Sequence, residues 1–512
     1  MEGVRDETVN AWTRDSVSFA RGCNSSALDG FLFTHASSFR ALGAMSSDAQ
    51  STRNALFDDF LEWCATHDVV VDDEAVTFAA RSSDGGGGGR GVLCGTRDLA
   101  AGTVLARIPV SMCLTLSTCG MPDVAETIQA KVVEHKLLAG WLCEVSSALC
   151  IERHLGRASK WHEYVLVLPD CEPNVVSMWS DEERGYLVGT EIEVGLRDEL
   201  REARREWDGI VEDAFKSHNV QCTFEDYHCA RTVVSSRAFQ ISPTCGIGLA
   251  PIADCFNHRT GGHDVNVGDG GATSTSDNDA LGVRIVREGG VKSGEEIFNT
   301  YGFLGNARLL NSYGFTQCDN PADVVSLSST NIRVAAAMLG VSGAQIAKRF
   351  EWITFTSLIS SADASFEIDR TFTLPDNLLY VVWACVESDD VFRKVRHTAR
   401  RDEAISAIVT VAKAMCSDNE QEQQPVLTSA VAKVIASAIE RRLSTYAQVG
   451  DKEHESERIK CAATLIESER GILQGTLTKL EKFLVSVADA DEGHNKRAKN
   501  DKDDAFALFD LP

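Results

Sequence analysis

Pro251-Ile252-Ala253-Asp254-Cys255-Phe256-Asn257-His258 is followed, after a polar interval, by Gly294-Glu295-Glu296-Ile297-Phe298-Asn299-Thr300-Tyr301-Gly302 and then by Tyr313-Gly314-Phe315. Just upstream stands Ser236-Arg237-Ala238-Phe239. Each piece alone is ordinary. An Asn-His pair usually caps a loop, and a tyrosine at a strand end usually packs half-buried. In this order and at these spacings, the pieces carry the reading of the whole chain.

Around them the pattern is that of strands. Residues 246–253 are apolar, 281–286 alternate, and 296–300 read as one more short strand. The interval 261–280 is rich in Gly, Asp, Ser and Thr and reads as a loop insertion. Residues 306–311 form a short helix. Further upstream, 92–116 reads as strand, turn, strand, with the second strand stopped at Pro109. A helix over 56–66 precedes it, with Leu56, Phe57, Phe60, Leu61 and Trp63 at helical spacing. Between these two lie five consecutive glycines, 85–89, without the following G-K-[ST] of a phosphate-binding loop; they read as a flexible loop.

From about 123 to 236 the periodicity turns helical. Leu137, Leu138, Trp141, Leu142, Val145, Leu149 and Ile151 mark one helix. Ser180 and Glu183 look like a capping box, 195–217 is a charged amphipathic helix, and Thr223 opens another that runs to Arg237. After about 324 the chain is mostly helical to 487. The order β, α, β, α predicts an α+β protein: a β-rich core interrupted by a helical insertion over about 123–236, then a mostly α-helical C-terminal domain. Residues 491–512 read as a charged, disordered tail. Its Lys496-Arg497-Ala498-Lys499 is a weak nuclear-import signal beside the plainer reading of a solvated tail.

A chain of 512 residues, 44% hydrophobic, has material for several lobes. No run of 18 apolar residues suggests a membrane span. A formal net charge of −25 repels phosphate backbones and favours a basic partner. The 16 cysteines include no C-x-x-C pair and no zinc-ligand spacing, so no metal is expected. Cys143, Cys150, Cys229 and Cys255 sit in apolar or mixed stretches as small hydrophobes, which fits a reducing, intracellular compartment. The segment 1–50 lacks lysine but carries Glu2, Asp6, Glu7, Asp15 and Asp29, and reads as a disordered or targeting extension; as a transit peptide it would imply a plastid, otherwise the cytoplasm or nucleus is expected.

The ordered series resembles the SET-domain protein-lysine methyltransferases, and within them the Rubisco large-subunit methyltransferase-like group. Gly89-Arg90-Gly91-Val92, Thr96-Arg97-Asp98-Leu99 and Ile108-Pro109 look like that group's opening strands. Ser159-Lys160-Trp161-His162-Glu163-Tyr164, Leu168-Pro169 and Trp179-Ser180 resemble its helical insertion. Leu374-Pro375 with Leu378-Leu379, and Glu457-Arg458 with Glu469-Arg470 and Ile472-Leu473, resemble its C-terminal domain. The resemblance implies a catalytic domain over 51–320 and a substrate-binding domain over 321–490. It implies S-adenosyl-L-methionine as cofactor and a protein lysine, on a non-histone substrate, as acceptor. The chain would act as a monomer, without nucleic acid or membrane.

Roles follow from the same resemblance. Tyr301 is the implied catalytic residue and also borders the cofactor. Arg53, Thr103, Val104, Leu105, Arg237, Asp254, Asn257, His258 and Phe315 are the implied cofactor-binding residues. Arg237, Phe239 and Tyr313 are implied to meet the substrate. Thr103 stands where the group often has glutamate, which leaves only backbone contacts there. Phe239 is apolar where related histidine methyltransferases carry a polar residue, and so suits a lysine stem. Two alternatives stay open: a catalytically silent protein-binding module, and a protein-histidine methyltransferase.

Overall fold

The computed structural model describes residues 47–80, 90–137, 139–269, 280–359, 361, 364–398, 403–415, 426–448 and 456–506. The extension before Ser47, the glycine run 85–89 and the centre of the expected loop insertion, 270–279, lie outside them. The fold is α+β, with small sheets and a helical C-terminal region. It divides into two compact units, one of residues up to Asp181 with Val194–Gln317, the other of Glu182–Glu193 with Cys318 onward.

In the first unit the elements are α1 (Ser47–Thr66), β1 (Val70–Val71), β2 (Val76–Ala80), β3 (Arg90–Cys94), β4 (Val104–Pro109), α2 (Pro122–His135), α3 (Gly140–Leu155), α4 (His162–Val167), α5 (Ile192–Glu206), α6 (Glu212–Ser217), α7 (Phe224–Arg237), β5 (Ala238–Ser242), β6 (Gly246–Leu249), β7 (Val265–Asp269), β8 (Ala280–Ile285) and α8 (Asn306–Tyr313). Four strands form an antiparallel sheet in the order β1-β4-β8-β7, and β2-β3 and β5-β6 make two-stranded ribbons. One apolar core joins α1, these strands and the inserted helices. Phe60 has no exposed surface and stacks on both Trp63 and Tyr164, at centroid distances of 5.9 and 5.7 Å. The buried Trp161 ring satisfies its N–H on the Met112 carbonyl at 3.0 Å.

Three local expectations change. Val265–Asp269, inside the expected loop, is strand β7: Val265 is fully buried opposite Ile285, and the Val-Asn-Val alternation suits a half-buried pleat. Residues 296–300 are not a strand. Their backbone bonds are split among separate partners: Ile297 N–H donates to the Val92 carbonyl at 2.7 Å, Phe298 N–H to the Asp264 carboxylate at 2.9 Å, and Asn299 N–H to the Asn257 carbonyl at 2.8 Å. The helix read over 195–217 is divided by a π-helical turn, Trp207–Val211, which buries Trp207, Ile210 and Val211 together.

The second unit contains β9 (Val324–Ser328), α9 (Ser329–Met338), α10 (Gly343–Phe355), β10 (Ser365–Asp369), α11 (Asp376–Val386), α12 (Asp389–Thr398), α13 (Ala404–Met415), α14 (Ser429–Thr445) and α15 (Glu457–Phe506). β9 and β10 pair antiparallel, with Val325 opposite Ile368. Their inner faces share a core with Leu378, Val381, Val382 and Trp383 of α11 and Val431, Ile435 and Ile439 of α14. Segment Glu182–Glu193 is held here by Glu191, whose carboxylate accepts from Arg442 at 3.0 Å and from the Ser326 N–H at 2.8 Å. The backbone of α15 is helical through Phe506, and the last residues of the expected tail, 507–512, lie outside the described residues. Extending a helix already nucleated upstream needs no new nucleus, and residues 494–506 contain neither proline nor glycine.

Candidate active site

The site is assembled where α7 ends. Thr223 caps that helix: its hydroxyl accepts the Asp226 N–H, and the Asp226 carboxylate accepts the Thr223 N–H. The helix stops at Arg237 and passes directly into β5, so one junction carries both Arg237 and Phe239. The Arg237 Nε and Nη2 each lie 2.8 Å from Glu172 Oε1. Its Nη1 faces the Asp254 carbonyl at 3.4 Å and Asp254 Oδ2 at 3.8 Å. Much of the guanidinium fork is therefore held by acids of the chain itself.

Asp254 follows Ile252, a β-branched residue at φ 69° and wholly buried. Such a conformation costs on the order of 1–3 kcal/mol and persists only where the surroundings enforce it. Tyr164 donates its hydroxyl to Asp254 Oδ2 at 3.2 Å. Burial pushes the Asp254 carboxyl up to about 6, against the pull of Arg237. Since Tyr164 also stacks on Phe60, the aromatic core fixes this carboxylate from behind.

Tyr301 lies against the same group. Its hydroxyl donates to the Phe256 carbonyl at 3.1 Å. Its ring stacks on His258 at 5.0 Å and on Tyr313 at 4.8 Å. Phe315 meets both His258, at 6.1 Å, and Tyr313, at 6.3 Å. Burial raises the Tyr301 phenol well above its ordinary range, with the Arg237 charge opposing. The phenol therefore stays protonated at neutral pH, which matches its donating role toward the Phe256 carbonyl. Gly302, at φ 122°, turns the chain away behind it in a conformation open to glycine.

His258 is a structural acceptor. The Tyr301 backbone N–H donates to His258 Nδ1 at 2.9 Å, so that nitrogen carries a lone pair; Nε2 then bears the proton and lies 2.6 Å from Thr260 Oγ1. Burial, assisted by the nearby His263, pushes the ring down to about 4 from 6.5. Between these values the unfolded chain binds a proton that the folded ring refuses. The stability carried by His258 is thus fully present above pH 6.5 and falls by on the order of 3 kcal/mol by pH 4. In histidine-labelled protein, its ring resonances should titrate near pH 4. A midpoint near 6.5 would remove the neutral acceptor from this account.

Asn257 donates to Glu296 Oε1 at 2.7 Å, and Gly91 of β3 lies over the pair. A Cβ added there would sit 3.0 Å from Glu296 Oε1 and 3.3 Å from Asn257 Nδ2, so glycine permits the close approach of this strand. Thr103, Val104 and Leu105 lie at the start of β4, where the Thr103 carbonyl accepts from Ile285 N–H and the Leu105 carbonyl from Asp72 N–H. Arg53 lies on α1, and its side chain is outside the described residues. Phe239, opposite Gly248 on β6, packs half-buried on the core.

The structure thus pairs Arg237 with Asp254 and links His258, Tyr301, Tyr313 and Phe315 by ring contacts, while Asn257, next to His258 in the chain, bonds to Glu296. Glu172, Tyr164, Glu296 and Thr260 complete them and were not expected in the site. Glu172 lies between Pro169 and Pro173 in a stretch without periodicity, and nothing local announces its pairing with Arg237.

No family model matches the chain. Among curated proteins it is similar to N-lysine methyltransferase setd6 of Xenopus tropicalis, 23% identical over 355 residues that cover 65% of this chain and 74% of that protein. It is 24% identical to human N-lysine methyltransferase SETD6 over 357 residues, 64% of this chain and 71% of that one. The ribosomal lysine N-methyltransferase set10 of Schizosaccharomyces pombe is 25% identical over 265 residues, 50% of this chain and 45% of its own. Among solved structures, the SET domain of LSMT bound to lysine and AdoHcy superposes with a TM-score of 0.61 at 19% identity, covering 84% of this chain and 91% of that one. This chain has the SET-domain fold of the Rubisco LSMT-like proteins. A second such structure, Rubisco LSMT bound to AdoMet, superposes at 0.59 with 16% identity over 84% of this chain and 92% of that one. Within this SET domain, the linked aromatic and charged residues come from the segments whose order suggested the fold.

Proposed function

We propose that this SET-domain protein is an S-adenosylmethionine-dependent N-methyltransferase acting on a lysine side chain of a protein. The observation that carries the reading is the placement of Tyr301. A protonated phenol, stacked on His258 and Tyr313 and bonded to the Phe256 carbonyl, adjoins the Arg237–Asp254 charges. Relatives named as lysine methyltransferases and neighbours solved with AdoMet or lysine support it.

When bound, S-adenosylmethionine supplies an electrophilic methyl group on a sulfonium. The donor set suits such a group. Gly91 lets backbone approach beside the Asn257 amide, Arg237 offers a carboxylate its Nη1 edge, the one not taken by Glu172, and His258 and Phe315 offer rings against which an adenine packs. We assign Thr103, Val104 and Leu105 backbone contacts near the same ligand, and Arg53 a contact from α1. Tyr313 and Phe239 wall the lysine's aliphatic stem. Tyr301 and the Phe256 carbonyl orient the amine. An amine must be neutral to attack, whereas free lysine titrates near about 10.4. Because the phenol keeps its own proton, the ammonium must release its proton to solvent before Tyr301 aligns the lone pair.

The net charge of −25 favours a basic protein segment as acceptor and disfavours nucleic acid. No helix among the described residues is long and apolar enough to cross a membrane. We place the enzyme inside the cell as a monomer that modifies a non-histone protein. Incubating a lysate with methyl-labelled S-adenosylmethionine and the purified protein, then mapping the label by mass spectrometry, should place it on lysine. Label confined to histidine would overturn the lysine assignment, and no enzyme-dependent label would overturn the activity.

A further inference from the structure

Two cysteines distant in sequence meet on the Glu172 side of the site. The Glu172 N–H donates to Thr232 Oγ1 at 3.0 Å, and that hydroxyl donates to the Cys229 carbonyl at 2.7 Å. These bonds pin the 171–172 backbone against one turn of α7. Across that turn the Cys171 and Cys229 thiols lie close enough to act directly on one another. Both are free and partly exposed. Arg153, tethered by its bond to the Pro169 carbonyl at 2.8 Å, acts on both sulfurs.

The two thiols are unequal. The Cys229 thiol pulls Cys171 down to about 7, with Arg153 assisting and burial, Asp170 and Glu172 opposing. Cys229 is pushed up by the same interaction. Cys171 thus carries substantial thiolate near neutral pH, whereas an ordinary cysteine carries a few per cent. A second pair, Cys150 and Cys222, makes a natural comparison. There the buried Cys150 thiol is pushed far up by its bond to Cys222 and by burial, and it is shielded from reagents.

We propose that Cys171 and Cys229 form a reversible dithiol–disulfide pair that governs how Glu172 holds Arg237. The oxidant is hydrogen peroxide. The Cys171 thiolate attacks one peroxide oxygen, the O–O bond breaks, and hydroxide leaves and takes a proton from solvent to become water; Cys171 is then a sulfenic acid. The Cys229 sulfur attacks the Cys171 sulfur, the S–S bond forms, the S–O bond breaks, and the departing hydroxide takes the Cys229 proton as a second water. The two sulfurs give up two electrons in all, and one peroxide is reduced. A dithiol reductant reverses the step by exchange.

The position gives the pair leverage. A disulfide draws its two sulfurs to about 2.05 Å. Cys171 is bonded directly to Glu172, and Cys229 lies about two turns before Arg237 on α7. Closing the bridge therefore moves both partners of the Glu172–Arg237 ion pair. The thiol chemistry stands by itself; only its effect on methyl-donor binding rests on the proposed function.

The full-length protein, reduced and then treated with hydrogen peroxide, should be alkylated, digested without reductant and mapped by mass spectrometry. A Cys171–Cys229 cross-linked peptide is expected, removed by dithiothreitol and missing from both Cys171→Ser and Cys229→Ser. S-adenosylmethionine affinity should change by about 5-fold or more on oxidation, recover on reduction, and stay constant through the cycle in Cys229→Ser. Both thiols remaining alkylatable, or a bridge at Cys150–Cys222 in place of this one, would overturn the pair. An unchanged affinity in fully cross-linked protein would overturn its control of the site. If the reduced protein bound no donor at all, the functional proposal would fail, and the cross-linked peptide would still decide the thiol chemistry.

Discussion

Tyr301→Phe should lower methyl transfer by about 10²–10³-fold while leaving S-adenosylmethionine affinity within about two-fold. The substitution removes one oxygen and keeps the ring. Stacking on His258 at 5.0 Å and Tyr313 at 4.8 Å is retained, and so is the backbone bond to His258 Nδ1. What disappears is the hydroxyl bonded to the Phe256 carbonyl at 3.1 Å. Its loss costs only about 1 kcal/mol of fold stability, because one neutral hydrogen bond is worth little net. The rate loss is larger, since an unaligned amine forfeits the orientation the site supplies. Initial rates with labelled donor, with affinity measured by calorimetry on the same samples, separate the two effects. A variant working at the parental rate would place the chemistry elsewhere.

Arg231→Met should be the most damaging single change outside the site. Arg231 Nε lies 2.9 Å from Glu206 Oε2, with both side chains almost entirely buried, and Tyr227 donates to the same oxygen at 2.7 Å. Methionine leaves the Glu206 charge in the core with one neutral donor. Breaking such a pair costs about 3–5 kcal/mol and should lower the melting temperature by roughly 10 °C. Adding Glu206→Gln to the same chain removes the stranded charge and should restore most of that loss, because the amide oxygen still accepts from Tyr227. Calorimetric melting of the single and double variants tests this. A single variant that melts with the parent, or a double variant no better than the single, would show that the pair is not what holds α5 to α7.

How much of this was legible beforehand depended on whether the cause was local. The α+β class, the inserted helices and the order of site segments could be read, since periodicity and short motifs act over a few residues. The capping box at Thr223 was half-visible: Thr223 announced the helix, and Asp226 closed it. Segment 296–300 misled because its apolar run is real while its backbone bonds go to separate partners. Strand β7 was hidden by the polar residues after it. Glu172 and Tyr164 could not be found at all, because their meaning lies in Arg237 and Asp254, which stand 65 and 90 residues away in the chain. The cysteines were treated one at a time as small hydrophobes. Pairing is a property of two positions, and Cys229 gained its meaning only beside Cys171.

Glu191 belongs to a unit most of whose residues follow it much later in the chain. Its carboxylate is held by Ser326 and by Arg442, which is 251 residues further on. During synthesis at about 5–20 residues per second, Glu191 leaves the ribosome on the order of ten to fifty seconds before Arg442 exists. Over that interval the Glu191 carboxylate has neither of these partners to hold it. The nascent chain must therefore carry Glu182–Glu193 unanchored in the middle of its first unit. A messenger that ended after Gln317 would leave that segment without its Ser326 and Arg442 anchors for the life of the product.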